Sequence, residues 1–383
     1  MIVSRILKFV SIPRPKLPVG GFFRAHLRPF LLLLFLFVFC NKLPIGEDEI
    51  SIRGDFDAQF IELTPSFKFT ESKNIPLGAS VNLIIGKNSE YESRILLQFD
   101  FPDTSIQGLD EIKLILWRNL RFSEDTITFS IHLLTTPFNE TEATWHLKTI
   151  SETWSTDGGD FEEDSLRFGE VRGDSLVVLF NYIELEQIRS APGLIIIPED
   201  TGFVGFYSRE GGAAPQFQLV KNNVATSVPI EADCHILTGP EPFYIETWIG
   251  SGMGYRNFVQ FDFTVDSLLP GEKIVFADLS FKAFKHFSMR DSFDIGIKEL
   301  IEHFDDYDTP TGPALSVESH SVHDTLFSLD IVEHVQRIID VPDSNFGLFI
   351  YVSPENYDIS SFQIVDDSYI LRIGYIPPPE ERW

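Results

Sequence analysis

Two aspartates stand in nearly identical stretches of the sequence. Asp100 lies in "RILLQFDF", and Asp262 lies in "RNFVQFDF", 162 positions further on (262 minus 100). A glycosidase needs two carboxylates that face one glycosidic bond, so these aspartates are the first candidates for a catalytic pair. The residues around each aspartate repeat as well, however, and equivalent positions of two copies have no reason to face one bond. We therefore interpret the repeat as duplicated architecture and assign no catalytic residue.

Two acidic segments carry the oxygen ligands that calcium prefers. "DGGDFEED" contains Asp157 and Asp160, and "DDYDTPTG" contains Asp305, Asp306 and Asp308. Calcium takes about six to eight oxygen ligands, and acidic loops of sandwiches supply them. Neither segment has the spacing of a defined calcium loop, and solvated turns are the alternative in so acidic a chain. Structural calcium at these aspartates is therefore a hypothesis, and the sequence indicates no other cofactor.

Three tryptophans are candidates for stacking on sugar rings, whose C–H faces suit an aromatic plane: Trp145, Trp154 and Trp248. Tryptophan is also a large core residue, and burial is the alternative at each position.

The elements that would position these side chains are strands. From about residue 61 onward, short apolar segments, many with alternating polarity, are separated by Gly, Pro, Asp and Asn. Segments of roughly four to eight residues with this pattern predict β-strands. The sequence thus predicts an all-β fold with two tandem antiparallel, jelly-roll-like β-sandwich domains.

The segments recur in the same order in both halves of the chain, which indicates an internal duplication. The order includes one short helix in each copy, with a capping-box-like start predicted at Asn181 and again at Asp330. A polar stretch at residues 220–229 is the predicted linker. The predicted modules span residues 58–222 and 223–376, followed by a tail at 377–383.

The repeated stretches resemble the disaggregatase-related (DNRLRE-type) β-sandwich family. Modules of that family read "R-x-L-L-x-F-D-L" and then contain a Thr-Trp element. The first copy has Arg94 to Asp100 and later Thr144-Trp145, whereas "HFDDYDTPTG" replaces the Thr-Trp element in the second copy. The resemblance implies modules similar to carbohydrate-binding modules, which occur beside polysaccharide-degrading domains on exported proteins and share no catalytic residues.

The N-terminal segment differs from the rest of the chain. Its first 39 residues hold six basic residues and no acidic one, and an apolar run ends at Cys40. This pattern predicts an export signal at residues 1–40, followed by a linker at 41–57. Cys40 resembles the lipidated cysteine of bacterial lipoproteins, although Phe39 stands where a small residue is usual. Soluble secretion and a retained anchor are the alternatives to lipid attachment at Cys40.

The charge of the remaining chain excludes some partners. The 30 basic residues less those six leave 24 against 57 acidic ones, a net charge of −33. Such a chain repels nucleic acids and anionic lipid surfaces, so membrane contact is expected only through the N-terminal segment. Cys234 is the other cysteine, and no intramolecular disulfide is expected once Cys40 is cleaved or lipidated.

These observations predict a non-catalytic exported protein, cell-surface or periplasmic, that binds glycan or acts as a scaffold. Its partner would be a polysaccharide or another component of the cell envelope. A polysaccharide-degrading enzyme with an acidic site is the first alternative. A purely structural component of the envelope or of secretion is the second.

Overall fold

The described part of the computed structural model is built mainly from antiparallel β-strands. It comprises residues 58–102, 108–121, 126–242, 246–263, 268 and 271–377, all within one compact unit. Two α-helices occur in these residues, α1 (Tyr182–Ser190) and α2 (Val332–Asp340). No helix of the described residues has the length and apolar character needed to cross a membrane.

The strands that precede residue 240 are β1 (Gln59–Leu63), β2 (Phe67–Glu71), β3 (Asn82–Lys87), β4 (Glu92–Phe99), β5 (Glu111–Arg121), β6 (Ile127–Leu133), β7 (Leu147–Thr149), β8 (Glu152–Thr153), β9 (Arg167–Val171), β10 (Ser175–Leu179), β11 (Leu194–Pro198), β12 (Gly202–Tyr207), β13 (Gln216–Lys221), β14 (Val224–Val228) and β15 (Ile230–Thr238). The later strands are β16 (Thr247–Ser251), β17 (Arg256–Gln260), β18 (Lys273–Ser288), β19 (Ser292–Leu300), β20 (Thr311–Ser321), β21 (Leu326–Asp330), β22 (Leu348–Ser353), β23 (Ser360–Ile364) and β24 (Ile370–Ile376).

The strands form two β-sandwiches of the same design. In the first sandwich, one layer has the order β15-β4-β11-β6-β9 and the other has the order β14-β13-β5-β12-β3, with β10 paired to β5. β3 also pairs with β4 through Gly86 and Lys87, so these two layers are joined into one folded-over sheet. In the second sandwich, the layers are β2-β17-β22-β19-β20 and β1-β24-β18-β23-β16, with β21 paired to β18. Each strand of one sandwich thus has a counterpart in the other. The predicted all-β fold with two tandem sandwiches is confirmed.

The repeated strand places its aromatic side chains in the core. Phe99 and Phe261 belong to the buried cores of the first and second sandwich, and Phe101 packs against the first. Asp100 and Asp262 are exposed. Side chains alternate along a strand, so the phenylalanines and the aspartates lie on opposite faces.

The strand ladders cross the predicted boundary between residues 222 and 223. β1 pairs with β24 and β2 pairs with β17, so residues 59–71 complete the second sandwich. β14 and β15 take the equivalent places in the first sandwich, on β13 and β4. The polar stretch that suggested a linker is a tight hairpin between β13 and β14. Asn222 and Asn223 have φ angles of 52° and 62°, which the two central residues of such a turn require.

In each sandwich, a segment that we call a roof packs on the outer face of one layer, the layer of β4 in the first sandwich and the layer of β17 in the second. The first roof is residues 134–166, which include β7 and β8, and it packs Trp145 and Trp154 against Leu96 and Cys234. The second roof is residues 301–310, and its Phe304 packs against the outer face of the second sandwich. Both faces of β4 are therefore buried, which explains its continuous apolar run.

The arginine that begins each repeated stretch fixes the roof. The Arg94 guanidinium lies 4.7 Å from the ring centre of Trp145, and its Nη1 donates to the Gly158 carbonyl at 2.9 Å. The Arg256 guanidinium lies 4.0 Å from the ring centre of Tyr307, and its Nη1 donates to the Tyr307 carbonyl at 3.1 Å. Tyr307 of "HFDDYDTPTG" thus fills the place of Trp145 in the first copy.

The two sandwiches share an apolar contact. Tyr91 of the first sandwich and Ser361 of the second are joined by a hydrogen bond of 2.7 Å between their hydroxyl oxygens. The buried apolar residues around them come from both sandwiches: Leu77, Ile84, Tyr91, Phe203, Leu237, Trp248, Met253, Tyr255, Met289 and Ile359.

Candidate functional site

An open groove of about 550 Å³ lies on the outer face of the second sandwich, beside the second roof. β2 contributes one side of it, and the second roof and the segments before β16 and β24 contribute the rest. The residues that line it are Phe67, Lys68, Phe69, Thr70, Glu71, Pro242, Glu246, Thr247, Phe304 and Asp366.

The groove exists because the second roof is shorter than the first. Phe67 lies opposite Gln260 in the ladder, and Ala232 lies opposite the equivalent Gln98, so Phe67 and Ala232 occupy equivalent places. Ala232 is 9% exposed beneath the first roof, whereas Phe67 is 57% exposed. The phenyl ring of Phe67 is therefore open to solvent in the second sandwich, whereas the first roof covers the equivalent position in the first sandwich.

The exposed phenyl ring rests on a packed aromatic base. The ring centres of Phe67 and Phe69 are 5.3 Å apart, and that of Phe69 is 4.9 Å from Phe258 and 4.8 Å from Phe304. Tilted and edge-to-face contacts at these distances are favourable, so the base holds Phe67 in place. The groove therefore has a firm apolar platform.

Polar and charged side chains surround the platform. Lys68 Nζ lies 2.6 Å from Asp366 Oδ1, so these two side chains form an ion pair at the edge of the groove. Burial, and then the negative charge of Asp306, raises the pKa of Glu71 above its ordinary range. The Thr70 hydroxyl accepts a hydrogen bond of 2.7 Å from the Trp248 backbone amide, which ties β2 to β16. The rim can thus both accept and donate hydrogen bonds.

The three tryptophans that are candidates for stacking on sugars are buried. Trp145, Trp154 and Trp248 are 8%, 4% and 5% exposed. Trp154 Nε1 donates to the Thr144 carbonyl at 2.9 Å inside the first roof, and Trp248 lies in the contact between the sandwiches. No broad indole face of the three is open to a ligand, because each packs against protein. This burial runs against the stacking prediction and favours the core alternative.

The first acidic segment uses its carboxylates to shape the first roof. Asp160 Oδ1 accepts hydrogen bonds from the backbone amides of Ser155 and Thr156, at 2.7 and 3.1 Å. Asp157 Oδ1 lies 2.9 Å from His146 Nδ1. The segment is therefore ordered by protein contacts of its own.

The second acidic segment is held in a similar way. Asp306 Oδ1 accepts from the backbone amide of Asp308 at 2.8 Å, Asp308 pairs with Lys73, and Asp305 is exposed. Within the residues that the structure describes, neither acidic segment brings the ligand atoms of three Asp, Glu, His or Cys side chains within 4.8 Å of one another. The geometry thus adds nothing to the calcium hypothesis at these loops, and Cys40 lies outside the described residues.

The groove could not be located from the sequence, because β2 lies within the predicted first module but belongs to the second sandwich. The counterparts of Phe67 and Glu71 are Ala232 and Ile236 of the first sandwich, which lie beyond the predicted module boundary. The one available signal was the equal spacing of Leu63 to Phe67 and of Val228 to Ala232, which the ladders show to be equivalent pairs.

Comparisons with known proteins give little further information. No family model matches the chain, and no curated protein matches it. Among solved structures, the chain is similar to the N-terminal CBM22-1-CBM22-2 tandem domain of Paenibacillus barcinonensis Xyn10C, with 9% sequence identity. The match covers 80% of this chain and 98% of that one, at a TM-score of 0.19. So low a TM-score supports no conclusion about ligand or function.

Proposed function

We propose that the protein is a non-catalytic, exported glycan-binding protein and that the groove of the second sandwich holds the glycan. The observation that carries this proposal is the exposed Phe67 ring on its aromatic base, in a groove with a hydrogen-bonding rim. Ligand sites of this kind combine an apolar surface with a few placed polar groups.

A sugar ring fits both parts of the groove. Its C–H face can lie on the Phe67 ring, while its hydroxyls donate to the carboxylates of Glu71 and Asp366 and accept from Lys68. Carboxylates outnumber cations among the lining residues, and the chain is strongly acidic. An acidic polysaccharide would be repelled, so the expected ligand is a neutral polysaccharide.

Affinity gel electrophoresis tests the proposal with the full chain and a panel of soluble neutral polysaccharides, including β-glucan, mannan and galactan. At least one should retard the wild-type protein, and Phe67→Ala should weaken that retardation by about tenfold or more, because the stacking surface is lost. Phe168→Ala is the matched control, since Phe168 is 70% exposed on the first sandwich. If no polysaccharide retards the wild-type protein, glycan binding is overturned. If Phe67→Ala is retarded as strongly as the wild type, the groove is not the binding site.

A glycoside hydrolase is the second candidate, favoured by one observation. Glu71 has a raised pKa, as a general acid requires, and Glu246 and Asp366 line the same groove. Release of new reducing ends from a polysaccharide that the wild-type protein binds, with loss of that release in Glu71→Gln, would establish hydrolysis. If the protein only binds the polysaccharide, no new reducing ends should appear, and the polysaccharide should still retard the Glu71→Gln variant in the gel.

A further inference from the structure

Three carboxylates from separate segments of the first sandwich converge at one place, which we call the carboxylate cluster. Glu140 belongs to the first roof, Glu210 to the turn after β12, and Asp233 to β15. One oxygen of each lies within 4.8 Å of the others. The cluster lies outside both acidic segments that the sequence analysis considered.

The carboxyl group of Asp233 is buried, and only one of its two oxygens has a hydrogen-bond partner in the described residues. The residue is 0% exposed, and its Oδ2 accepts a hydrogen bond from the backbone amide of Arg209 at 2.9 Å. Its Oδ1 is buried and has no hydrogen-bond partner in the described residues. A buried carboxylate oxygen without a partner is costly, so a group that supplies the missing contact is expected.

Arg209 does not supply that contact. Its Nη2 donates to Glu140 Oε2 at 2.5 Å and its Nε donates to Glu210 Oε1 at 3.3 Å. Glu140 Oε1 accepts from the Asp233 backbone amide at 2.9 Å, so the cluster is tied to β15. One guanidinium is set against three carboxyl groups, so the cluster holds more acidic than basic groups, which favours a cation as the missing partner.

We propose that the carboxylate cluster binds one calcium ion, with the free Oδ1 of Asp233 as its buried ligand and Glu140 and Glu210 as the others. The three side chains offer only oxygen ligands, which suits calcium and disfavours zinc. Carboxylates from three separate segments form an irregular set, which calcium tolerates better than magnesium does, and water completes the shell. The ion ties the first roof to the sheet beneath it.

Calcium uptake by the full chain, stripped with a chelator and then dialysed, tests the proposal. Isothermal titration at pH 7.5 should show one calcium ion per chain and a rise in Tm on loading. Asp233→Asn should lose this uptake, and its Tm in chelator should be no lower than that of the wild type, since the unpartnered charge is gone. Glu210→Gln is a second variant, at an exposed position where folding is not in question, and its calcium affinity should fall at least fivefold.

Asp305→Asn is the matched control, because it removes one exposed carboxylate from the second roof and should leave calcium uptake unchanged. Absence of uptake by the wild-type protein would overturn the proposal. So would unchanged stoichiometry and affinity in both Asp233→Asn and Glu210→Gln.

Discussion

Arg256 joins the second roof to the sheet through three kinds of contact. Its guanidinium stacks on Tyr307, donates to the Tyr307 carbonyl, and forms two hydrogen bonds of 2.7 Å with the carboxylate of Glu355. The side chains of Arg256 and Glu355 are 21% and 18% exposed. A planar guanidinium can make all these contacts at once, whereas an ammonium group cannot.

Arg256→Met should therefore destabilise the protein by about 2–3 kcal/mol, because it leaves the largely buried Glu355 carboxylate without its cationic partner, with only the hydrogen bond from the Tyr307 hydroxyl. Urea denaturation of the two proteins measures the difference. Arg372→Met is the matched control: Arg372 pairs with Glu62, both side chains are more than half exposed, and the expected loss is under about 1 kcal/mol. Equal losses in the two variants would show that the roof contact has no special role.

For individual residues, the sequence predicts that the aspartates and the phenylalanines of the repeated strand lie on opposite faces, because side chains alternate along a strand. The role of Arg94 and Arg256 could not be predicted. Their partners, Gly158 and Tyr307, lie 64 and 51 positions away in segments with no periodic pattern. Only the folded roof brings them together.

Helix α2 is fixed to the second sandwich by a buried carboxylate. Glu299 of β19 accepts from His334 Nδ1 at 3.2 Å and from Arg337, both on α2. The Glu299 side chain is 9% exposed. The hydrogen bond from His334, with that from Arg337, lowers the pKa of Glu299 to about 2 despite burial.

The stability contributed by Glu299 should depend on pH. Its pKa is lower in the folded state than its ordinary value of 4.5, so the contribution is fully present above pH 4.5 and is lost as pH falls through about 2. Glu299→Gln should be less stable than the wild type by about 3 kcal/mol at pH 7, and the difference should shrink between pH 4.5 and 2. Urea denaturation at several pH values checks this. If the difference in stability between the two proteins does not depend on pH, the packing of the Glu299 side chain, and not its charge, accounts for the loss.

Sequence patterns also predicted both helices, but with unequal success at their starts. Asn181 and Glu184 form the expected reciprocal cap of α1, with hydrogen bonds of 3.0 and 2.7 Å. In α2, Asp330 accepts only from the Val332 amide at 2.9 Å. A Gly-Leu pair also repeats, at Gly193-Leu194 and Gly347-Leu348. The glycine of the second pair has a packing reason, because a side chain at Gly347 would lie 2.5 Å from the Phe258 ring. Such close approaches are invisible in a sequence.

At the scale of the molecule, the N-terminal strands close the second sandwich. Asn257 Nδ2 donates to the Phe69 carbonyl at 2.8 Å across 188 positions, and Glu62 pairs with Arg372 across 310. Apolar patterns can identify strands, but they do not tell which distant edge a strand joins. The assignment of β1 and β2 was therefore beyond sequence reasoning.

Deletion of residues 58–71 should destabilise the second sandwich and leave the first folded. It exposes the edges of β17 and β24 and removes Ile61 and Leu63 from contact with the core. Limited proteolysis should cut the truncated chain within residues 246–377 and spare residues 82–238. A synthetic peptide of residues 58–71, added in trans, should restore protection by strand addition.

Equal protection of the truncated and full-length chains, or cleavage spread evenly over both sandwiches, would contradict this prediction. A peptide with Ile61 and Leu63 replaced by Asp is the matched control, and it should not restore protection.

The closure of the second sandwich by β1 and β2 also sets an order of events during synthesis. All strands of the first sandwich have emerged once β15 is made, whereas β1 and β2, made first, have no partner until β17 and β24 follow. The groove combines β2 with Thr247 and Asp366, so a nascent chain that stops before residue 366 lacks part of it. A chain that terminates earlier in the second sandwich would therefore keep the folded first sandwich but have no complete groove.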